Sequence, residues 1–246
     1  MMLLPGDRTR NDDRARGDDS ARQALEAAQA APAPKLDVDE TWVTVGDVPV
    51  RIVRPPGATR VLPAVLYLHG GGFVMGNAGT HDRLVRELAV GAHVAIAFVE
   101  HEGAFAEAWE QSYAVARWIA ARGRFAGLDG ARISVAGDEA GGALAAALSA
   151  TGIPFIHQSL YYPCGLREVA DPSRSPETFV VARGDDEGAA YAGRLRAAGV
   201  RTTTVTYEGA PPHFMMLNAL RASPAATGAV ERAIRALRSA SHPGRQ

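Results

Sequence analysis

The sequence predicts an α/β fold: an eight-stranded, mostly parallel sheet with helices on both faces. Three observations carry this expectation. From residue 61 onward, short apolar or β-branched runs alternate with helical stretches, the order that right-handed crossovers wind into a parallel sheet. The run over 61–68 is nearly continuous in apolar residues, as a strand covered on both faces must be. The run over 132–136 empties into Gly137-Asp138-Glu139-Ala140-Gly141-Gly142, and residues 143–150 are almost pure alanine and leucine. That is strand, tight turn and helix, with glycines where a sharp reversal needs close backbone approach.

In chain order, residues 1–35 mix charges over 7–19 and become Ala/Pro-rich by 30–34. They hold few large apolar side chains, so disorder with one loose helix over 20–30 is expected. A single domain is placed over 36–246. The runs 41–45 and 48–53 are β-rich and split by Gly46-Asp47, a hairpin signal. After strand 61–68 comes His69-Gly70-Gly71-Gly72-Phe73, then a helix over 80–90 with Leu84, Val85 and Leu88 on one face. A strand over 93–99 leads to a helix over 105–122, with Trp109, Tyr113 and Ala116 at core spacing. Beyond the turn at 137–142, strands are predicted over 155–162, 179–182 and 202–207, and helices over 188–198 and 224–239.

Bulk composition bounds the function. The 246 residues suffice for one large domain, and 47% are apolar. The formal net charge of -1 gives no general attraction to nucleic acid or anionic membrane. Lys35 is the sole lysine, which reads as a compositional bias and not as a phosphate-binding signal. One cysteine, Cys164, excludes an internal disulfide and has no neighbouring metal-ligand pattern. No metal and no cofactor are expected. Met1-Met-Leu-Leu4 is too short for a signal-peptide core and no apolar run reaches spanning length. A cytoplasmic protein acting on a small molecule is expected, without nucleic acid or membrane partners; a homodimer is allowed.

Sites in such sheets form at the C-terminal ends of the strands. The 69–73 loop, Glu139, Asp185 and His213 each follow a predicted strand, so four independent candidates fall on one edge. Three consecutive glycines leave backbone N–H groups free to point at an anion. The turn at 137–142 has the shape of a nucleophile elbow, G-x-S-x-G, with Glu139 at the position of the serine. His213 suits a general base; Asp185 either orients it or caps the next helix. His101 and Glu102 form a weaker acid/base candidate, and Cys164 reads as a small packing residue.

His69-Gly-Gly-Gly-Phe73, Gly137-Asp-x-Ala-Gly-Gly142 and the late His213-Phe214 together resemble the hormone-sensitive-lipase-like branch of the α/β-hydrolase fold, over residue 37 to the C-terminus. The resemblance implies carboxylesterase or lipase ancestry, with Gly71, Gly72 and Ala140 N–H as oxyanion-hole donors. It implies His213 as base and Asp185, or Asp186, as the acid beside it. Three departures bear on the chemistry. Glu139 replaces serine. The segment after Tyr162-Pro163 is short, so most of a cap is missing. The family's Asp-Tyr-Arg-Leu-Ala-Pro-Glu stretch has shrunk to about Val99-Glu-His101.

A carboxylate attacks esters poorly and would yield an anhydride, so serine-type hydrolysis is not expected. The favoured reading is acid/base chemistry by Glu139 and His213, such as elimination, isomerisation or cyclisation. The alternatives are a non-catalytic pseudo-esterase that binds a small molecule or partner, and a hydrolase using Glu139 as carboxylate nucleophile.

Overall fold

The computed structural model describes residues 19–166, 169, 171–184 and 186–244. Eight strands form one sheet: β1 (Asp39–Val45), β2 (Val48–Arg54), β3 (Leu62–Leu68), β4 (Ala95–Val99), β5 (Leu128–Asp138), β6 (Phe155–Tyr161), β7 (Thr178–Ala182) and β8 (Thr202–Thr206). Their spatial order is β1-β2-β4-β3-β5-β6-β7-β8. The β1–β2 hairpin joins antiparallel through β2 and β4; β3 to β8 are parallel throughout. β5 is longer than the sequence suggests. Its extension over 128–131 pairs with the start of β3 across a register shift between Pro63 and Ala64, a bulge that a simple apolar run does not reveal.

Two separate cores flank the sheet. On one face α3 (Phe105–Arg122), α4 (Glu139–Ser149) and α5 (Glu187–Ala197) enclose Leu66, Leu68, Val135, Leu144 and Leu195. On the other, α2 (Asp82–Ala92) and α6 (Pro224–Ser241) enclose Val65, Tyr67, Leu84, Leu88 and Phe214. Odd and even positions of β3 thus feed opposite cores, which is why the strand is apolar at every position. Between β6 and β7, the described residues hold no α-helix, and Pro172–Arg174 is a single 3-10 turn. Among the described residues no helix is long and apolar enough to cross a membrane.

Residues 19–29 form α1, which side-chain hydrogen bonds tie to the body of the fold. Arg22 donates to the Val74 carbonyl at 2.9 and 3.1 Å. Gln29 bonds Thr80 and Met216 and accepts from Asn218 N–H at 2.7 Å. The attachment is mostly polar, so counting apolar residues misses it. Residues 1–18 lie outside the described part.

Arg51 on β2 ties the hairpin to α2: its guanidinium bonds Glu40 and lies 2.6 Å from Asp82 Oδ1. Burial would raise the Asp82 carboxyl, but Lys35, Arg86 and Arg51 hold it down at about 2. The folded value lies below the unfolded one, so this stability is present above about pH 4 and is lost as pH falls toward 2. The expected contribution is about 2 kcal/mol at neutral pH. Urea denaturation of the wild type and Asp82→Asn at pH 7 and pH 3 checks it: the gap between them should narrow at the lower pH.

Candidate functional site

The site begins where β5 turns into α4. Glu139 has φ +50°, the left-handed conformation that side chains avoid. The turn lifts Glu139 clear of the sheet edge, at a cost of order 1–3 kcal/mol that the surrounding packing must hold. Gly141 makes the turn possible, since a Cβ there would overlap the carbonyl oxygens of Leu68 and His69. The elbow is thereby pressed against the end of β3, and the glycine loop that leaves β3 runs beside it.

That loop takes left-handed φ at Gly71 (+100°), Gly72 (+61°) and Phe73 (+68°). Gly71 N–H donates to Glu139 Oε2 at 2.8 Å. The same oxygen lies 3.9 Å from His213 Nδ1. Ala140 N–H sits in the first turn of α4, where helical donors lack an i−4 partner. The dipole of α4 favours negative charge at this point. Glu139 and His213 side chains are 28% and 19% exposed, so the pair sits at a half-open surface. The structure thus brings Glu139, Gly71 and His213 together, with Ala140 next to Glu139 and Gly72 next to Gly71.

Beneath the elbow lies a layer that sequence reasoning did not single out. Asp138 is fully buried. It accepts from Tyr67 hydroxyl at 2.9 Å and Gly70 N–H at 3.1 Å, and His81 Nε2 lies 3.3 Å away. Burial alone would raise its carboxyl; His81 and the Tyr67 hydroxyl hold it below the ordinary carboxylate value. One carboxylate therefore fixes the glycine loop, the elbow and α2 to one another. The available signal was its place immediately before Glu139, at a strand end where a buried carboxylate must find donors.

A stack of rings runs outward from this layer. Tyr67 lies on Phe98 (5.7 Å, 12°), Phe98 on His69 (5.4 Å, 12°) and His69 on His101 (4.0 Å, 6°). Burial, with repulsion between the stacked rings were both protonated, lowers His69 well below its ordinary value; burial lowers His101 to about 4. Both are neutral at pH 7. His101 therefore turns into the stack, while Glu102 is exposed; the two do not form the acid/base pair that their adjacency suggests.

Asp185 lies outside the described residues. Asp186 caps α5: its oxygens accept from Arg183 N–H at 2.8 Å and Ala189 N–H at 3.0 Å. Among the described residues, no group hydrogen-bonds His213 Nδ1. Cys164 is exposed, contrary to its reading as a packing residue. Its N–H donates to the Glu139 carbonyl at 3.1 Å, because the chain leaving β6 must pass the elbow. Partial burial and the Glu139 carboxylate raise its thiol to about 11, so it is no thiolate nucleophile at neutral pH.

An eight-stranded sheet in this order, an elbow after β5 and a histidine after β8 define the α/β-hydrolase class of fold. A sequence model of the α/β-hydrolase fold family matches residues 65–184. Esterase LipI of Mycobacterium tuberculosis is 41% identical over 139 residues, 52% of this chain and 43% of that protein. A putative α/β hydrolase, R526, of Acanthamoeba polyphaga mimivirus is 30% identical over 82% of this chain and 75% of its own. The structure of a thermostable esterase from Pseudomonas putida superposes with a TM-score of 0.83 at 27% identity, covering 91% of this chain and 90% of that one. The chain belongs to the α/β-hydrolase family. The matched stretch spans under half of the length of LipI.

Proposed function

We propose that this α/β hydrolase uses a non-serine site, in which Glu139 and His213 perform acid/base chemistry on a small organic substrate. The observation that carries the reading is the position of Glu139 Oε2, 2.8 Å from Gly71 N–H and 3.9 Å from His213 Nδ1. A carboxylate, an imidazole and an anion-seeking backbone donor then share one point. A substrate carbonyl oxygen arriving at the Gly71, Gly72 and Ala140 donors displaces the carboxylate. Glu139 takes a proton from the carbon beside the carbonyl. The electron pair moves onto the oxygen held by the donors, and His213 returns a proton as the product forms. Elimination, isomerisation and cyclisation all begin with this step.

A second reading, a pseudo-esterase that only binds a small molecule in the old pocket, is favoured by His213 Nδ1 having no hydrogen-bond partner among the described residues and by Asp186 being engaged as a cap. Deuterium exchange separates the two. Small ketones and β-dicarbonyl compounds incubated with protein in D2O should exchange their α-protons above background. Glu139→Gln should lower that rate by about 10²-fold or more. Binding without exchange across the panel would leave the pseudo-esterase.

A further inference from the structure

The two helices on the α2/α6 face do not cover the whole sheet. α6 packs mainly over β6, with less contact to β5 and β7. Thr203 and Val205, on one side of β8, are exposed and half-buried. Between them and the C-terminal half of α6 runs a groove of about 720 Å³, well within the range of small-ligand sites. It lies at the N-terminal ends of β6 and β7, away from Glu139 by roughly one strand length, about 15–25 Å.

Four arginines converge on it: Arg201 after α5, and Arg232, Arg235 and Arg238 on α6. Among the described residues that line it, the only carboxylate is Glu177, 3.2 Å from Arg201. Among the described residues, the three α6 arginines form no salt bridge. The chain as a whole carries 26 basic and 27 acidic residues, so four against one is a local departure from balance. A helix C-terminus attracts cations, but only Arg238 lies in the last turn. His157 lines the same groove at 3% exposure. Its Nε2 is 2.9 Å from Ser159 Oγ, and its Nδ1 has no partner among the described residues. Burial lowers His157 to about 4, opposed by its contact with the Glu177 backbone, so the ring is neutral. Phe179, Val205 and Ala236 add apolar wall.

We propose that this groove binds a small organic phosphate, bearing two or more negative charges on a flat or apolar body, through Arg201, Arg232, Arg235 and Arg238. Guanidinium groups match phosphate oxygens in paired N–H···O bonds. The apolar wall takes the body of the ligand. The proposal stands apart from the Glu139 chemistry, at the opposite end of the sheet.

Isothermal titration of the full chain with ADP, pyrophosphate and adenosine tests it. ADP is expected to bind with Kd below about 1 mM at low salt, more tightly than pyrophosphate, and to weaken as salt rises. Arg232→Ala/Arg235→Ala should weaken ADP by about tenfold or more, and Glu177→Gln, which releases Arg201, should tighten it. The exposed arginine changes should leave far-UV CD and Tm unaltered; Arg201→Gln, on a different element, gives an independent loss. Glu139→Ala should bind ADP as the wild type does. Absence of ADP binding overturns the proposal. So does adenosine binding as well as ADP, or ADP affinity that survives both arginine variants, which would assign the anion to the glycine loop or elsewhere.

Discussion

Purified protein will turn over activated short-chain acyl esters negligibly and without a burst, and Glu139→Ser will raise that rate by about 10²-fold or more. The magnitude follows from how a catalytic triad divides its work. In a serine protease of this logic, losing the whole triad costs about 2 × 10⁶ in rate, and losing only the acid costs about 3 × 10⁴. A Ser–His pair without an acid therefore keeps about 10² over the bare donors and binding site. The elbow φ of +50° and the Gly71 donor are already in place, and serine would remove the carboxylate that now occupies that donor. A gain far above 10² would mean that a third group orients His213. Asp185→Asn in the Glu139→Ser protein then identifies it: a fall of about 10⁴ assigns the role to Asp185, and an undiminished rate removes Asp185 from the site. A folded but inactive Glu139→Ser protein would show that His213 no longer reaches the nucleophile position. Esterase turnover by the wild type that disappears in Glu139→Ala would instead establish a carboxylate-mediated mechanism.

The parts of this molecule that were legible in the sequence are those set by backbone requirements. Gly137 and Gly141 mark the elbow because a Cβ would strike neighbouring carbonyl groups. The unbroken apolar run of β3 marks a strand between two cores. Helix α3 spans Phe105–Arg122 as its periodicity predicts. What stayed hidden depends on long-range polar pairing. Asp138, Tyr67 and His81 are far apart in sequence, and nothing local shows that they meet. Arg22 and Gln29 look like solvated helix residues until Val74 and Met216 are seen against them. His101 looks like the partner of adjacent Glu102, yet ring stacking on His69 turns it inward. Adjacency in sequence is a weak guide to pairing where a loop is shaped by what lies under it.

Removing the buried carboxylate under the elbow should cost more stability than any change at Glu139. Asp138→Ala leaves the Tyr67 hydroxyl, the Gly70 N–H and His81 Nε2 without their shared acceptor, all within the buried layer. Each stranded buried donor costs about 1–3 kcal/mol. These overlap, since the same carboxylate serves all three, so the expected loss is about 3–5 kcal/mol. At about 2–4 °C per kcal/mol for a chain of this size, Tm should fall by about 6–20 °C. The dependence on pH has a definite sign. Asp138 titrates below the ordinary carboxylate value in the folded protein, so its stabilisation is present above that ordinary value and is lost as pH falls through the depressed folded value. The wild type should therefore lose stability on acidification more steeply than Asp138→Ala. The glycine loop should loosen at the same time, because Gly70 N–H is its tie to the elbow and the next residue, Gly71, donates to Glu139. Hydrogen exchange at Gly70 and Gly71 reads that loosening directly, and denaturant melts at pH 7 and at a pH well below the ordinary carboxylate value of about 4 read the stability. A loss below about 1 kcal/mol, with unchanged protection at Gly70, would show that Asp138 is not what holds the loop, the elbow and α2 together.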